Sequence, residues 1–197
     1  GHRLYLDWST RWNVHQATHI IAISQATRDD LVRHCAADPA RITVVYPGLD
    51  EALFVSPEPG RIEEVRARYG LPEKYILYVG TLHPRKNLVR LLRAFGRLAG
   101  EWPAGEGEPP ALVLAGKKGW FYDQIFAETQ VLGLHSRVLF PGYISQPDLL
   151  PLMRGAAAFA FPSLFEGFGF PILEAMACRV PVVTSRASCL PEVAGDA

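Results

Sequence analysis

Short uninterrupted apolar runs alternate along this chain with longer stretches whose apolar residues recur every three or four positions. The first run, His19–Ile23 (HIIAI), ends at Ser24 and reads as a buried strand. Ser24 suits the N-cap of a helix over Gln25–Cys35, and Asp29 and Asp30 lie in early turns near its positive end. Asp38-Pro39 marks a turn before the β-rich Arg41–Tyr46, which Pro47-Gly48 stops. From Asp50 to Gly60, prolines and a glycine with little periodicity read as a linker or crossover.

Beyond Gly60 the pattern predicts helices over Arg61–Tyr69, Asn87–Ala99, Phe121–Leu132, Pro147–Arg154 and Pro171–Cys178. Between them fall apolar strands over Tyr75–Val79, Ala111–Ala115, Arg137–Phe140, Ala156–Phe161 and Val180–Thr184. The helix after Asn87 has a clear stripe: Leu88, Leu91, Leu92, Phe95 and Leu98. Gly100–Pro110 is a Gly/Pro/Glu-rich loop. Continuous apolar strands separated by helices predict a parallel sheet covered on both faces, hence a doubly wound, Rossmann-like α/β fold. In such a sheet ligands sit outside the carboxyl ends of the strands. The loops after Val79, Ala115, Phe140 and Phe161 are therefore the places to look for chemistry.

Composition narrows the partners. Lys+Arg and Asp+Glu both number 20, so no global charge points to nucleic acid or to an anionic membrane surface. Cys35, Cys178 and Cys189 are odd in number and lack CxxC spacing, which suggests free thiols in a reducing, cytoplasmic setting. Apolar runs such as Ala156–Pro162 are too short to span a bilayer. The opening GHRLYLDWST has no helix start signal and PEVAGDA stops just after a short helix, so the chain reads as a fragment of a longer polypeptide.

The loop after Val79 is Gly80-Thr81-Leu82-His83-Pro84-Arg85-Lys86-Asn87. Gly80 allows a sharp turn, Asn87 is placed to cap the next helix, and Arg85 and Lys86 flank that helix start. Two cations beside free helix amides suit a diphosphate; the alternative is a pair of solvated loop charges. Gly116-Lys117-Lys118-Gly119-Trp120 repeats the theme weakly. Either lysine is a phosphate contact or a surface charge, and Trp120 reads more readily as packing than as a stacking platform. Pro141-Gly142-Tyr143-Ile144-Ser145 offers backbone amides and a π face for a base, or is a plain turn.

The loop Glu166-Gly167-Phe168-Gly169-Phe170-Pro171 carries the most information. Pro171 suits the first helical turn, and Gly167 and Gly169 free the backbone to present N–H groups to an anion. Glu166 and Glu174 flank this start. A carboxylate facing phosphate would be repelled, so both are expected to accept hydrogen bonds from neutral sugar hydroxyls. Either alone reads equally well as a cap or a surface charge. Hydroxyls bracketing a diphosphate describe a nucleotide sugar.

Glu166 and Glu174, separated by seven residues within FPSLFEGFGFPILEAMA, resemble the glutamate pair of the retaining glycosyltransferases of family 4. YVGTLHPRKNL, VLFPGYIS, LPEVAGDA, IIAISQATRDDLV and RITVVYPGLD match that family too, with a mannosyltransferase-like flavour. The resemblance implies two Rossmann-like domains with the active site between them (GT-B architecture). On it, residues 1–47 are the end of an N-terminal, acceptor-side domain with the interdomain crossover. Residues 48–197 are the donor-binding domain, truncated at its C-terminus.

The resemblance also implies roles. Glu166 would contact the transferred sugar near its reacting carbon, and Glu174 the ribose. Arg85 and Lys86 would hold the diphosphate, and the amides of Phe168, Gly169, Phe170 and Leu173 would bind sugar and phosphate. Ile144 would meet the base; Gly80, Thr81, Lys117, Tyr143 and Gly167 complete the donor site. Many members carry Arg where this chain has Thr81, which leaves Arg85 as the candidate guanidinium.

The implied reaction moves a hexose, mannose favoured, from a GDP- or UDP-linked donor to a glycan or lipid-linked acceptor with retention. It would need no metal and no cofactor beyond the donor, and the sequence contains no Asp-x-Asp. Any peripheral attachment to the inner membrane face would run through the N-terminal domain. The alternatives are a donor-binding module inactive by itself and a sugar-nucleotide epimerase or phosphorylase of the same architecture. A dinucleotide-dependent dehydrogenase is disfavoured because no G-x-G-x-x-G follows the first strand.

Overall fold

A computed structural model describes residues 2–55 and 57–195, with side chains from Tyr5 onward. The chain opens with helix α1 (His2–Gln16), strand β1 (Ile20–Ala22), helix α2 (Gln25–Cys35) and strand β2 (Ile42–Val44). β1 and β2 pair in parallel over a small core of Val14, Ala22, Cys35, Ala37 and Ile42. Ser24 caps α2 as expected, its hydroxyl accepting from Thr27 N at 3.0 Å. α1 carries no start signal in the sequence.

The rest follows the alternation: α3 (Arg61–Arg68), β3 (Tyr75–Val79), α4 (Leu88–Gly100), β4 (Ala111–Ala115) and α5 (Asp123–Val131). Then come β5 (Val138–Gly142), α6 (Gln146–Arg154), β6 (Ala158–Phe161), α7 (Phe170–Ala177), β7 (Val182–Thr184) and α8 (Leu190–Ala194). Strands β3 to β7 form one parallel sheet in the order β5-β4-β3-β6-β7. Successive residues on a strand face opposite ways, yet Leu112, Val113 and Leu114 are all sealed. Both faces of β4 are therefore covered, as the continuous apolar runs require.

The chain steps outward from β3 to β4 and β5, then crosses back to lay β6 on the other side of β3. The loops leaving β3 and β6 thus diverge, which opens a crevice at their carboxyl ends, the switch point of the sheet.

Boundaries depart from expectation where backbone bonds are already committed. β6 and β7 each start two residues later than their apolar runs. Ala156 N is taken by Met153 O and Val180 N by Ala175 O, closing the preceding helices. Leu98, assigned to the core stripe of α4, is 40% exposed in the last turn. Asn87 does not cap α4 with its side chain. It sits at φ 58°, closing a 3-10 turn over Pro84–Lys86, and its amide donates to Pro162 O at 3.2 Å. Cys35, Cys178 and Cys189 are free and buried. Among the described residues no helix is long and apolar enough to cross a membrane.

Candidate functional site

Strand ends build the site. Gly80 closes β3 at φ +152°, and a Cβ there would lie 2.7 Å from the Tyr78 hydroxyl. Gly116 closes β4 at φ +146°, where a Cβ would meet the Gly80 carbonyl oxygen at 1.9 Å. Only glycine fits at 116, so the two loops leave the sheet pressed backbone to backbone. Leu82 N to Lys117 O (2.9 Å) and Gly119 N to Leu82 O (3.0 Å) fasten them further. Thr81 is held in this seam, and Tyr78 OH donates to its carbonyl at 3.2 Å.

At the carboxyl ends of β3, β4 and β5, a recess of about 240 Å³ is lined by Gly80, Thr81, Gly116, Lys117, Tyr143 and Ile144 among others. Ile144 is buried and Tyr143 is 62% exposed, with the Lys117 ammonium 4.8 Å from its ring centroid. Ser145, next in the loop, is anchored from below: its hydroxyl donates to Asp148 and its amide to Tyr69 OH. Asp148 also accepts from Arg61, Arg68 and Tyr69 at 2.6–2.8 Å. Burial would raise this carboxyl, but Ser145, Tyr69 and Arg68 outweigh it and hold the pKa down at about 2. Larger recesses of about 800 and 870 Å³ lie near Glu73 and Arg137 and beside β7, and neither contains the diverging loops. Trp120 is 80% exposed and packs on nothing that hides it, contrary to its expected packing role.

At the switch point the loops after β3 and β6 meet through charge. Glu166 Oε2 accepts from Arg85 at 2.9 Å, and Oε1 pairs with the Lys86 ammonium. Arg85 also donates to Phe165 O, while Leu164 N donates back to Arg85 O at 2.9 Å. His83 Nδ1 accepts from Arg85 N at 3.1 Å and so shapes the turn that presents both cations. Lys86 stands 5.0 Å from the Phe161 ring centroid. Neither cation is a free solvated charge, and Glu166, expected to await hydroxyls, is already their counter-ion.

Burial alone would raise Glu166. Bonds from Lys86 and Arg85, with the nearby Ser163, reverse that and hold its carboxyl below the usual range. Ser163 Oγ meets no partner in hydrogen-bond geometry, so its influence is one of proximity. Glu174 differs. One turn into α7 it has no hydrogen-bond partner among the described residues, and burial pushes its carboxyl up.

Between the glutamates, Gly169 holds φ +105° and a Cβ would meet Leu190 at 2.9 Å. Gly167 has no such need: φ is ordinary and a Cβ would stand 3.4 Å from Ile23. Only one of the two glycines therefore serves conformational freedom. Phe168 is buried, edge-on to Phe170 at 5.2 Å, and Leu173 packs partly against the core. The amides of Gly167, Phe168 and Gly169 donate to no acceptor among the described residues. Ser24, Thr27, Ser188 and Cys189 also converge on this loop; isolated hydroxyls and a thiol remote in sequence gave no signal for them.

Residues 61–197 match the glycosyl transferases group 1 family, and residues 1–53 match glycosyltransferase family 4. O-antigen chain mannosyltransferase B of Escherichia coli is 34% identical over 196 residues, covering 98% of this chain and 50% of that protein. D-inositol 3-phosphate glycosyltransferase of Mycobacterium tuberculosis (strain F11) is 35% identical over 185 residues, covering 93% and 37%. The structure of HepE from Anabaena in complex with UDP and glucose superposes with a TM-score of 0.78 at 26% identity, covering 92% of this chain and 48% of that one. The chain spans about half the length of these proteins or less. With a Rossmann-like sheet and a family match over most of its length, the chain belongs to the glycosyl transferases group 1 family.

Proposed function

We propose that the protein transfers a hexose, with mannose favoured, from a nucleoside diphosphate sugar to a hydroxyl of a glycan or lipid-linked acceptor, with retention at the anomeric carbon. The observation that carries this reading is the meeting of Arg85 and Lys86 with Glu166 at the switch point, beside a loop with three unbonded amides. The mannosyltransferase and glycosyltransferase names of the relatives support the sugar transfer, and the UDP and glucose bound in HepE support the class of donor.

In this reading the base enters the recess between β3, β4 and β5, against Ile144 and the face of Tyr143. The diphosphate lies toward Arg85, Lys86 and the amides of residues 167–169. Glu174, half-buried without a partner, gains ribose hydroxyls that offset its desolvation. As the bond from the sugar's anomeric carbon to the phosphate oxygen breaks, negative charge gathers on the nucleotide, where the two cations stabilise it. The acceptor oxygen bonds to that carbon from the same face, and its proton passes to the departing phosphate oxygen. Glu166 keeps Arg85 and Lys86 oriented before the donor arrives and faces the transferred sugar afterwards.

The test is the product. The full-length protein, given GDP-mannose or UDP-glucose and a hydroxyl acceptor, should form a glycoside with the donor's anomeric configuration, read by proton NMR coupling. An inverted product would refute retention, and hydrolysis or epimerisation without transfer would refute the activity.

A further inference from the structure

Three consecutive carbonyls in the loop after β6 are each held by a side-chain donor. Glu166 O accepts from Ser188 Oγ at 2.7 Å and lies 3.3 Å from Cys189 Sγ. Gly167 O accepts from Ser24 Oγ at 2.9 Å, with Thr27 Oγ1 at 3.3 Å. Phe168 O accepts from Cys189 Sγ at 3.0 Å. The single thiol proton is thus shared between two oxygens, and Ser24 and Cys189 are fully buried where they act.

A trans peptide points its C=O and its N–H in opposite directions. Fixing the oxygens of 166, 167 and 168 therefore turns the amides of 167, 168 and 169 away from those donors. Those three amides donate to nothing among the described residues, and neither do the amides of Glu166 and Phe170 on either side of them. Ser188 holds φ +54°, a strained value for serine that survives where a neighbouring structure enforces it.

The donors come from opposite ends of the chain, and one carboxylate ties them together. Glu192, in α8 just beyond Ser188 and Cys189, accepts from Gln25 N and Ala26 N at 2.7 Å each. These are free amides at the start of α2, the helix that Ser24 caps and Thr27 enters. Ser24, the loop, Cys189 and Glu192 form a closed circuit.

We infer that Ser24, Ser188 and Cys189, braced by Glu192, are positioning residues that set the backbone of loop 166–169 so that its amides face the donor. This rests on the reading of that loop as the donor cradle. The buried thiol acts as a hydrogen-bond donor in this role; neither nucleophilic attack nor disulfide formation enters it.

The experiment compares wild type with Ser24→Ala, Ser24→Thr, Cys189→Ala and Cys189→Ser, by calorimetric titration with UDP and with GDP and by donor and acceptor kinetics. Losing one buried donor should weaken nucleotide binding and donor kcat/KM by about tenfold, leaving acceptor KM unchanged. Ser24→Thr and Cys189→Ser keep a donor and should recover most of the loss. Should Cys189→Ala not fold, the Ser24 pair decides. Folded Ala variants that bind and turn over like wild type would overturn the clasp while the donor reading stands. Wild type binding neither nucleotide would overturn both.

Discussion

Glu166 and Glu174 flank the same helix start yet sit in opposite electrostatic surroundings. Glu166 is clamped between Arg85 and Lys86 and held below the ordinary carboxylate range. Glu174 is half-buried with no partner among the described residues and is pushed above it. One carboxylate orients cations; the other is poised to accept hydroxyls. This difference separates the consequences of changing them.

Glu174→Gln should stabilise the free protein at neutral pH. A carboxyl whose folded pKa is raised takes up protons on folding, so its contribution is fully present below the ordinary 4.5 and lost as pH rises through the raised value. The neutral variant lacks that loss and should be the more stable protein near pH 7.5, read by urea denaturation. Equal stability of the two proteins at both pH 4 and pH 7.5 would refute the burial argument.

Asp148 behaves in the reverse sense. Its pKa is depressed from 3.8 to about 2, so its stabilisation is present above pH 3.8 and disappears as pH falls toward 2. Asp148→Ala strands Arg61, Arg68 and Tyr69 and should cost about 2–4 kcal/mol at pH 7. Because Ser145 loses its anchor, donor KM should rise as well. A variant with unchanged urea midpoint would contradict the network's role.

Lys86→Met removes one of two cations and part of the force that keeps Glu166 ionised. Donor kcat/KM should fall about 10²–10³-fold, and the acid limb of its pH profile should move to higher pH as the Glu166 pKa rises. A full-rate enzyme, or an acid limb that stays in place, would remove Lys86 from the account.

Gly169→Ala and Gly167→Ala should differ sharply although the residues are two apart. The first forces φ +105° on alanine and drives its methyl into Leu190. It should cost about 1–2 kcal/mol in backbone strain alone. The second has ordinary backbone and room beside Ile23, so thermal melting should leave its Tm close to wild type. Equal Tm losses in both would mean that the loop is not held as described.

Much of the sheet was legible because parallel strands sealed on both faces leave continuous apolar runs. Tyr75–Val79 and Ala111–Ala115 have the bounds the runs predict. Strand starts after helices were less legible, since Ala156 and Val180 are apolar but spend their amides closing the helix before them. Asn87 reads as a cap from its type, whereas the preceding 3-10 turn forces it into a left-handed link. α1 escaped because its start lacks capping chemistry. The candidate loops were visible from their place after strands, and the glutamate spacing pointed to one of them. The pairing of Glu166 with both cations was not: 80 residues separate Glu166 from Lys86 and 143 separate Ser24 from Gly167. The strand order brings the first pair together and the packing of the start of α2 against the loop after β6 the second, and local pattern encodes neither.

The central claim, a nucleotide-sugar donor bound across the crevice between the β3 and β6 loops, is tested most directly by calorimetric titration. Wild type, Lys86→Ala and Glu174→Ala would each be titrated with UDP- and GDP-linked sugars. One of the two nucleotides should bind wild type, and each substitution should weaken it at least about tenfold. Unaltered affinity in both variants would place the donor elsewhere and contradict the account.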